Sequence, residues 1–241
     1  MHSLIHSKVT IYPNLFNYNQ MKKLFSILMT LVIALAVSAQ SPDYMNQKQF
    51  ELKSGKVVYK IEGKTKGTKT IWFDDYGRKQ YTHTETTTKM MGMTMKSETM
   101  QIKDMEYVYD LNLIEKTGTK MKLQEANDMI AVTRSTTSDA ELFKMGKQME
   151  SDLEGREEGT EEFLGRSCKV YVVGKLNGKS LIYKGIVLKT TMDMGGILGS
   201  TAEEAVAFEE NISVPASQFS IPSGFEITEV SFGGFPEIEN E

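Results

Sequence analysis

Four thioethers fall within six positions at Met90-Met91-Gly92-Met93-Thr94-Met95. On an extended chain, side chains alternate, so Met91, Met93 and Met95 share one side. Two chemistries fit that pattern. Thioethers are flexible and polarizable, so they can wall an adaptable site for acyl chains. Soft sulfur also favours Cu(I), which gives Met91, Met93 and Met95 as a copper alternative. Ordinary core packing beneath a helix uses the same residues and stays open beside both. His83, within Tyr81-Thr82-His83-Thr84-Glu85, shares a strand side with Tyr81 and Glu85. A His–Glu pair can move protons, but no nucleophile motif accompanies it. Cys168 is the single cysteine and sits in a β-rich run, where a thiol is usually a small buried hydrophobe. Asp74-Asp75 belongs to a turn, and the acidic stretch 154–162 reads as a solvated loop. The chain has no Gly-rich phosphate loop, no His/Cys metal spacing and no Gly-x-Ser-x-Gly elbow. The residues therefore predict a protein that is not an enzyme and needs no cofactor.

The elements that would position these groups are mostly strands. Val57, Tyr59 and Ile61 alternate with polar residues, as do Met105, Tyr107, Tyr109 and Leu111. Period two is the mark of a half-buried strand. Tight-turn compositions at Asp74–Gly77 and Asn177-Gly178 join such runs into an antiparallel meander. Strand composition resumes at Cys168–Val173, Leu181–Tyr183 and Gly185–Met192, and the alternation of Val206 and Phe208 extends it to 201–211. The period changes once. Ser138-Asp139-Ala140-Glu141 fits a capping box, and Leu142, Met145 and Met149 follow at helical spacing. The spacing predicts an amphipathic helix over 139–153, which needs an apolar surface to lie on.

Residues 21–39 run from Lys22-Lys23 through an apolar stretch of about 14 residues to Val37-Ser38-Ala39. That is the layout of a secretory signal peptide, and it is shorter than the roughly 20 residues of a membrane span. Residues 1–20 read as an upstream extension that is untranslated or unstructured, and 40–241 as one domain. Without residues 1–39 the chain keeps 25 basic and 32 acidic residues, a net charge of about −7. No basic stripe exists, which argues against nucleic acid and anionic lipid surfaces. One cysteine allows no internal disulfide. None follows the apolar run, so no lipoprotein anchor is expected. The expected location is the periplasm, with no membrane segment after cleavage.

Several segments together carry a resemblance: Lys56–Ile61, Trp72-Phe73-Asp74-Asp75-Tyr76-Gly77, Thr84-Glu85-Thr86, Gly165–Tyr171 and Val214–Gly224. They resemble a family of uncharacterised exported proteins common in Bacteroidetes, similar in fold to the LolA-like lipoprotein carriers of the periplasm. The resemblance covers most of 40–241 and rests on strand and turn motifs. It implies a mainly β (α+β) fold: a curved antiparallel sheet, a half-barrel of about nine to eleven strands, with one or two helices over its concave face. It implies no reaction and no transferable site residues. The expected function is binding of a hydrophobic ligand, a lipid or acyl chain, between sheet and helix. The candidate contacts are Tyr59, Phe73, Met91, Met93, Met95, Tyr107, Tyr109, Leu142, Met145 and Met149. A cell-envelope structural or interaction protein with no small ligand is the remaining alternative.

Overall fold

The computed structural model describes residues 46–231 apart from 91, 137, 194 and 196–198. The upstream extension and the signal segment lie outside these residues. Six consecutive strands form a meander: β1 (Gly55–Gly63), β2 (Thr65–Asp74), β3 (Lys79–Met90), β4 (Met93–Lys103), β5 (Tyr107–Asn112) and β6 (Thr117–Lys122). Helices α1 (Leu123–Thr136) and α2 (Asp139–Asp152) come next. Then follow β7 (Gly155–Phe163), β8 (Arg166–Val173), β9 (Gly178–Tyr183), β10 (Ile186–Asp193), β11 (Ser200–Glu210) and β12 (Glu226–Glu229). All twelve strands join one sheet in the order β12-β6-β5-β4-β3-β2-β1-β11-β10-β9-β8-β7. Neighbours run antiparallel except β12, which pairs with β6 in parallel.

The architecture is the curved sheet with helices over its hollow side that the resemblance implies. Two local expectations change, and one helix had not been placed. The sheet holds twelve strands, one beyond the expected range. The acidic stretch read as a solvated loop is strand β7, whose residues 156–162 are all exposed; an edge strand needs no apolar side. Helix α1 had no prediction. Leu123, Ala126 and Asn127 are buried at helical spacing at its start, a stripe too short to stand out in the sequence.

Curvature shows at Tyr59, whose hydroxyl donates to the Val187 carbonyl at 3.0 Å, reaching across β11 to β10. Strands lie about 4.8 Å apart, so a phenol spans two intervals only if the sheet curls toward that side. The side carrying Tyr59 is therefore concave. β6 and β7 are ten intervals apart, about 48 Å along the sheet. The two 14-residue helices that link them reach about 42 Å end to end. α1 meets the sheet at β6 and α2 at β7.

The ladders from β1 to β6 are free of bulges, so paired residues share a face. One row reads Val57–Ile71–Thr82–Gln101–Asp110–Thr119, and the next reads Lys56–Trp72–Tyr81–Ile102–Tyr109–Lys120. The apolar residues change sides between β2 and β3. On the concave side, Val57, Tyr59 and Phe73 join Leu52, Cys168, Val170, Leu181, Ile186, Leu188 and Ala205 in one core. On the convex side, Met100, Ile102 and Leu111 form a second core with Tyr81 and Tyr109. The returning chain covers it with Phe219, Ile221, Phe225 and Ile227 before β12 pairs at the edge.

Candidate functional site

The space between the helix pair and the concave face is the candidate site. Its roof is α2. Ser138 caps the helix: its hydroxyl accepts from the Glu141 amide, and the Glu141 carboxylate accepts from the Ser138 amide at 2.9 Å. That satisfies two amides a helix start leaves open, and these hydrogen bonds hold the Glu141 carboxyl below the usual carboxylate range. The other end is tied to the sheet. The Lys175 amide donates to the Leu153 carbonyl at 3.2 Å, and the Gly174 amide to the Glu154 carbonyl at 3.1 Å. Burial first, then the nearby Glu150 charge, raises the Tyr171 pKa.

Between these anchors α2 is loosely held. Leu142, Gly146, Glu150 and Leu153 are half-buried and mark the side toward the domain, while Lys144, Lys147, Gln148, Ser151 and Asp152 on the opposite arc are exposed. The apolar residues that flank the inner side stay open: Phe143 is 68% exposed, Met145 62% and Met149 44%. A methyl group added at Gly146 would meet nothing within 4 Å. The Gly146 position therefore has open space beside it.

The concave face of β3–β6 is polar along most of its length, and its end row holds buried Lys103, which donates to the Gly77 carbonyl, with Val108 and Met121. Thr82, Thr84, Thr86 and Thr88 occupy consecutive inward positions on β3, paired with Gln101, Thr99, Ser97 and Met95 of β4. Asp110 and Asn112 of β5, then Thr119 and Thr117 of β6, continue the rows. Asp110 is the one charged residue that these four strands place in those rows, and it accepts from the Gln101 amide group at 2.9 Å. At the border with β2, Lys69 pairs with Glu203 beside the Tyr59 ring. Burial, then the Glu203 charge, pushes the Tyr59 phenol far above its ordinary value.

The structure brings some sequence-predicted residues together and separates others. Met93 and Met95 lie on the concave face at the start of β4, Met93 59% exposed and Met95 half-buried. Leu142, Met145 and Met149 lie on α2. Tyr59 and Phe73 are on the concave side but buried inside the first core. Tyr107 and Tyr109 stand on the convex face, packed ring to ring at 5.7 Å; one strand's alternation does not say which side is hollow. Met91 lies outside the described residues, which leaves Met93 and Met95 of the copper set. Phe143 and the threonine floor were missed. Phe143 was visible as an apolar neighbour of the helical stripe, and the floor as alternate threonines in Thr82–Thr88.

His83 Nε2 and Glu98 Oε1 lie 2.9 Å apart across the β3–β4 ladder on the convex side, next to Tyr81. The partner is thus Glu98, not Glu85. Cys168 is fully buried, and burial raises its thiol pKa, the opposite of activation. Among the described residues no group of three or more His, Cys, Asp or Glu could hold a metal ion. A depression of about 100 Å³, lined by Glu161, Lys179, Leu181, Lys189 and Thr191, lies over β7–β10. It is far smaller than the roughly 300–1,000 Å³ of small-molecule sites. Among the described residues no helix is long and apolar enough to cross a membrane.

No protein-family model matches the chain, and no curated protein does. Solved structures do. An uncharacterized conserved protein from Thermus thermophilus aligns at 8% identity and TM-score 0.47, over 77% of this chain and 95% of that one. MucB in complex with MucA(peri) aligns at 13% identity and TM-score 0.40, over 78% of this chain. The Pseudomonas aeruginosa MucA/MucB complex gives 13% identity and TM-score 0.37, over 74% of this chain. The alignments span 59% and 58% of those two chains.

Proposed function

We propose that this chain is an exported, periplasmic binding protein, without catalytic activity, that holds a hydrophobic ligand between α2 and the concave face. The observation that carries the reading is the unpacked apolar side of α2: exposed Phe143, Met145 and Met149 around the open space at Gly146. Leaving large apolar groups in water forgoes about 1.5–3 kcal/mol each relative to full burial. A lipid or acyl chain lying under the helix would recover part of that, and methionines adapt to chains of different shape. Leu142, Met145 and Met149 would contact it from above, Met93 and Met95 at the far end of the floor. The signal-like segment 21–39 supports export, and the lack of an assembled nucleophile, base and oxyanion set among the described residues motivates the non-catalytic reading.

The test is native mass spectrometry on protein purified from the periplasm, followed by extraction and identification of bound lipid. The expected result is an added mass that extraction removes. Repeated ligand-free spectra, together with no change in α2 hydrogen exchange on adding fatty acids, would overturn the proposal.

A further inference from the structure

We infer that the outer edge of β4 between Met93 and Ser97 is a docking seat for an extended segment of a partner protein. The segment adds antiparallel to β4, with acidic side chains toward the convex face and apolar ones toward the concave face. The inference stands apart from the hydrophobic-ligand reading: its main-chain groups and lysines are not part of that site.

Unequal strand lengths make the seat. β4 pairs with β3 from Met93 onward, but with β5 only from Thr99. Among the described residues, Met93–Ser97 thus has a neighbouring strand on one side alone, a gap of about 16 Å at 3.3 Å per residue. Exposed Met93 stands at one end, and exposed Ile114, in the turn after β5, at the other. The Leu113 amide donates to the Glu98 carbonyl at 3.0 Å, so Glu98 faces the lane of β5. The β3–β4 ladder has no bulge, and alternate residues of a regular strand turn the same way. The amides and carbonyls of Thr94 and Lys96 therefore point into the gap. The two end strands of the sheet are guarded by other means. β7 carries exposed charges and a register shift, and β12 is four residues long. Met93–Ser97 has no proline, glycine or bulge, so it keeps the form that accepts another strand.

Charge selects the occupant. On the convex side Lys96, Thr87 and Lys66 form one row, and Lys89 sits opposite Thr94 in the next. All three lysines are exposed. The carboxylates nearby are engaged or set back: Glu62 pairs with Lys60, Glu98 pairs with His83, and Glu85 lies one row away beside Glu98. A second copy of this edge would bring the convex lysines of both copies together, and like charges across strands are destabilising. An acidic side chain opposite Lys96 makes a favourable cross-strand pair instead, and one opposite Thr94 lies two strand intervals from Lys89. On the concave side Met93 and Met95 would meet apolar side chains, and thioethers adapt to varied shapes. The occupant is therefore a strand that alternates apolar and acidic residues over about five positions.

The test uses full-length mature protein and three capped, fluorescein-labelled peptides read by anisotropy. They are Thr-Val-Glu-Val-Glu-Val-Thr, the same peptide with lysine for both glutamates, and the acidic peptide N-methylated at both glutamates. The acidic peptide should bind about tenfold more tightly than the lysine peptide. Methylation should abolish binding, because the glutamate amides face Lys96 and Thr94 in the antiparallel pair. Lys96→Glu should reverse the order of the two charged peptides. Thr94→Pro removes one outward amide and no β3–β4 hydrogen bond, a change an edge tolerates. It should weaken the acidic peptide while circular dichroism shows the fold kept. Equal binding of the charged peptides, undiminished binding of the methylated one, or binding of none would overturn the inference. So would a dimer in sedimentation that Thr94→Pro dissolves, which gives the edge to a second copy. Capture by phosphatidylglycerol vesicles that Lys96→Glu abolishes, with no peptide bound, would give the lysines to a membrane and overturn it as well.

Discussion

Gly146 and Tyr59 show how differently single positions are constrained on the concave side. Gly146 lies mid-helix, with nothing near the position of an added methyl. Glycine in a helix interior costs about 1 kcal/mol relative to alanine, so Gly146→Ala should stabilise the free protein by that amount, read as a higher urea midpoint at unchanged slope. A loss of stability would mean that the space beneath α2 is filled. Tyr59 is the opposite case, only 2% exposed and bonded to the Val187 carbonyl. Tyr59→Phe should cost about 1 kcal/mol at neutral pH, the net worth of one hydrogen bond. Its pH dependence has a definite sign. The folded-state pKa lies above the unfolded one, so the contribution is complete below the ordinary tyrosine value of about 10 and falls as pH rises beyond it. Midpoints measured from pH 8 to pH 11 should therefore decline less steeply in the phenylalanine variant than in the parent.

At the scale of elements, legibility followed the kind of signal each segment carried. The capping box at Ser138 and Glu141 was readable because it is local chemistry, and the helix starts there. Alternation gave β1, β2 and β5 for the same reason. The hidden features were relational. Alternating residues reveal that a strand has an apolar side, but not that β1 and β2 turn theirs inward while β3 to β5 turn theirs outward. That reversal took Tyr107 and Tyr109 away from the hollow and left threonines in it. Strand β12 is another relational feature, formed by four residues pairing in parallel with a distant partner. Glu229 holds it to Lys120 at 2.8 Å, and that hydrogen bond lowers the Glu229 pKa. A depressed carboxylate contributes stability above its unfolded pKa and loses it as pH falls through the folded one. Acidification below about pH 4.3 should therefore loosen β12. Amide exchange of 226–229 should speed up on acidification relative to β1, after correction for the intrinsic pH effect, and Glu229→Gln should remove that acid dependence. Equal acid dependence in the variant would show that the ion pair does not govern this edge.

Across the whole molecule, two cores on opposite faces of one sheet make the central strands common to both. β1 and β2 supply Val57, Tyr59 and Phe73 to the first core, and β3 carries Tyr81 into the second. Opening either core therefore disturbs the β2–β3 ladder, whose ten paired positions run without a bulge. The helix pair holds no comparable place: α2 is fixed near its ends and has open space beside Gly146. Local opening free energy follows buried apolar contact, so native-state hydrogen exchange should separate these regions. The amides of β1, β2 and β3 should exchange slowest, near the global limit, and those of α2 should open well below it. Phe73→Ala, which should cost about 3–5 kcal/mol as a buried aromatic truncation, should lower protection in β1–β3 by the full amount and leave α2 nearly unchanged. A ligand under the helix should do the reverse, raising α2 protection most. If α2 is as protected as β2 in ligand-free protein, the roof is a packed part of the core, and a site that opens by moving it is wrong.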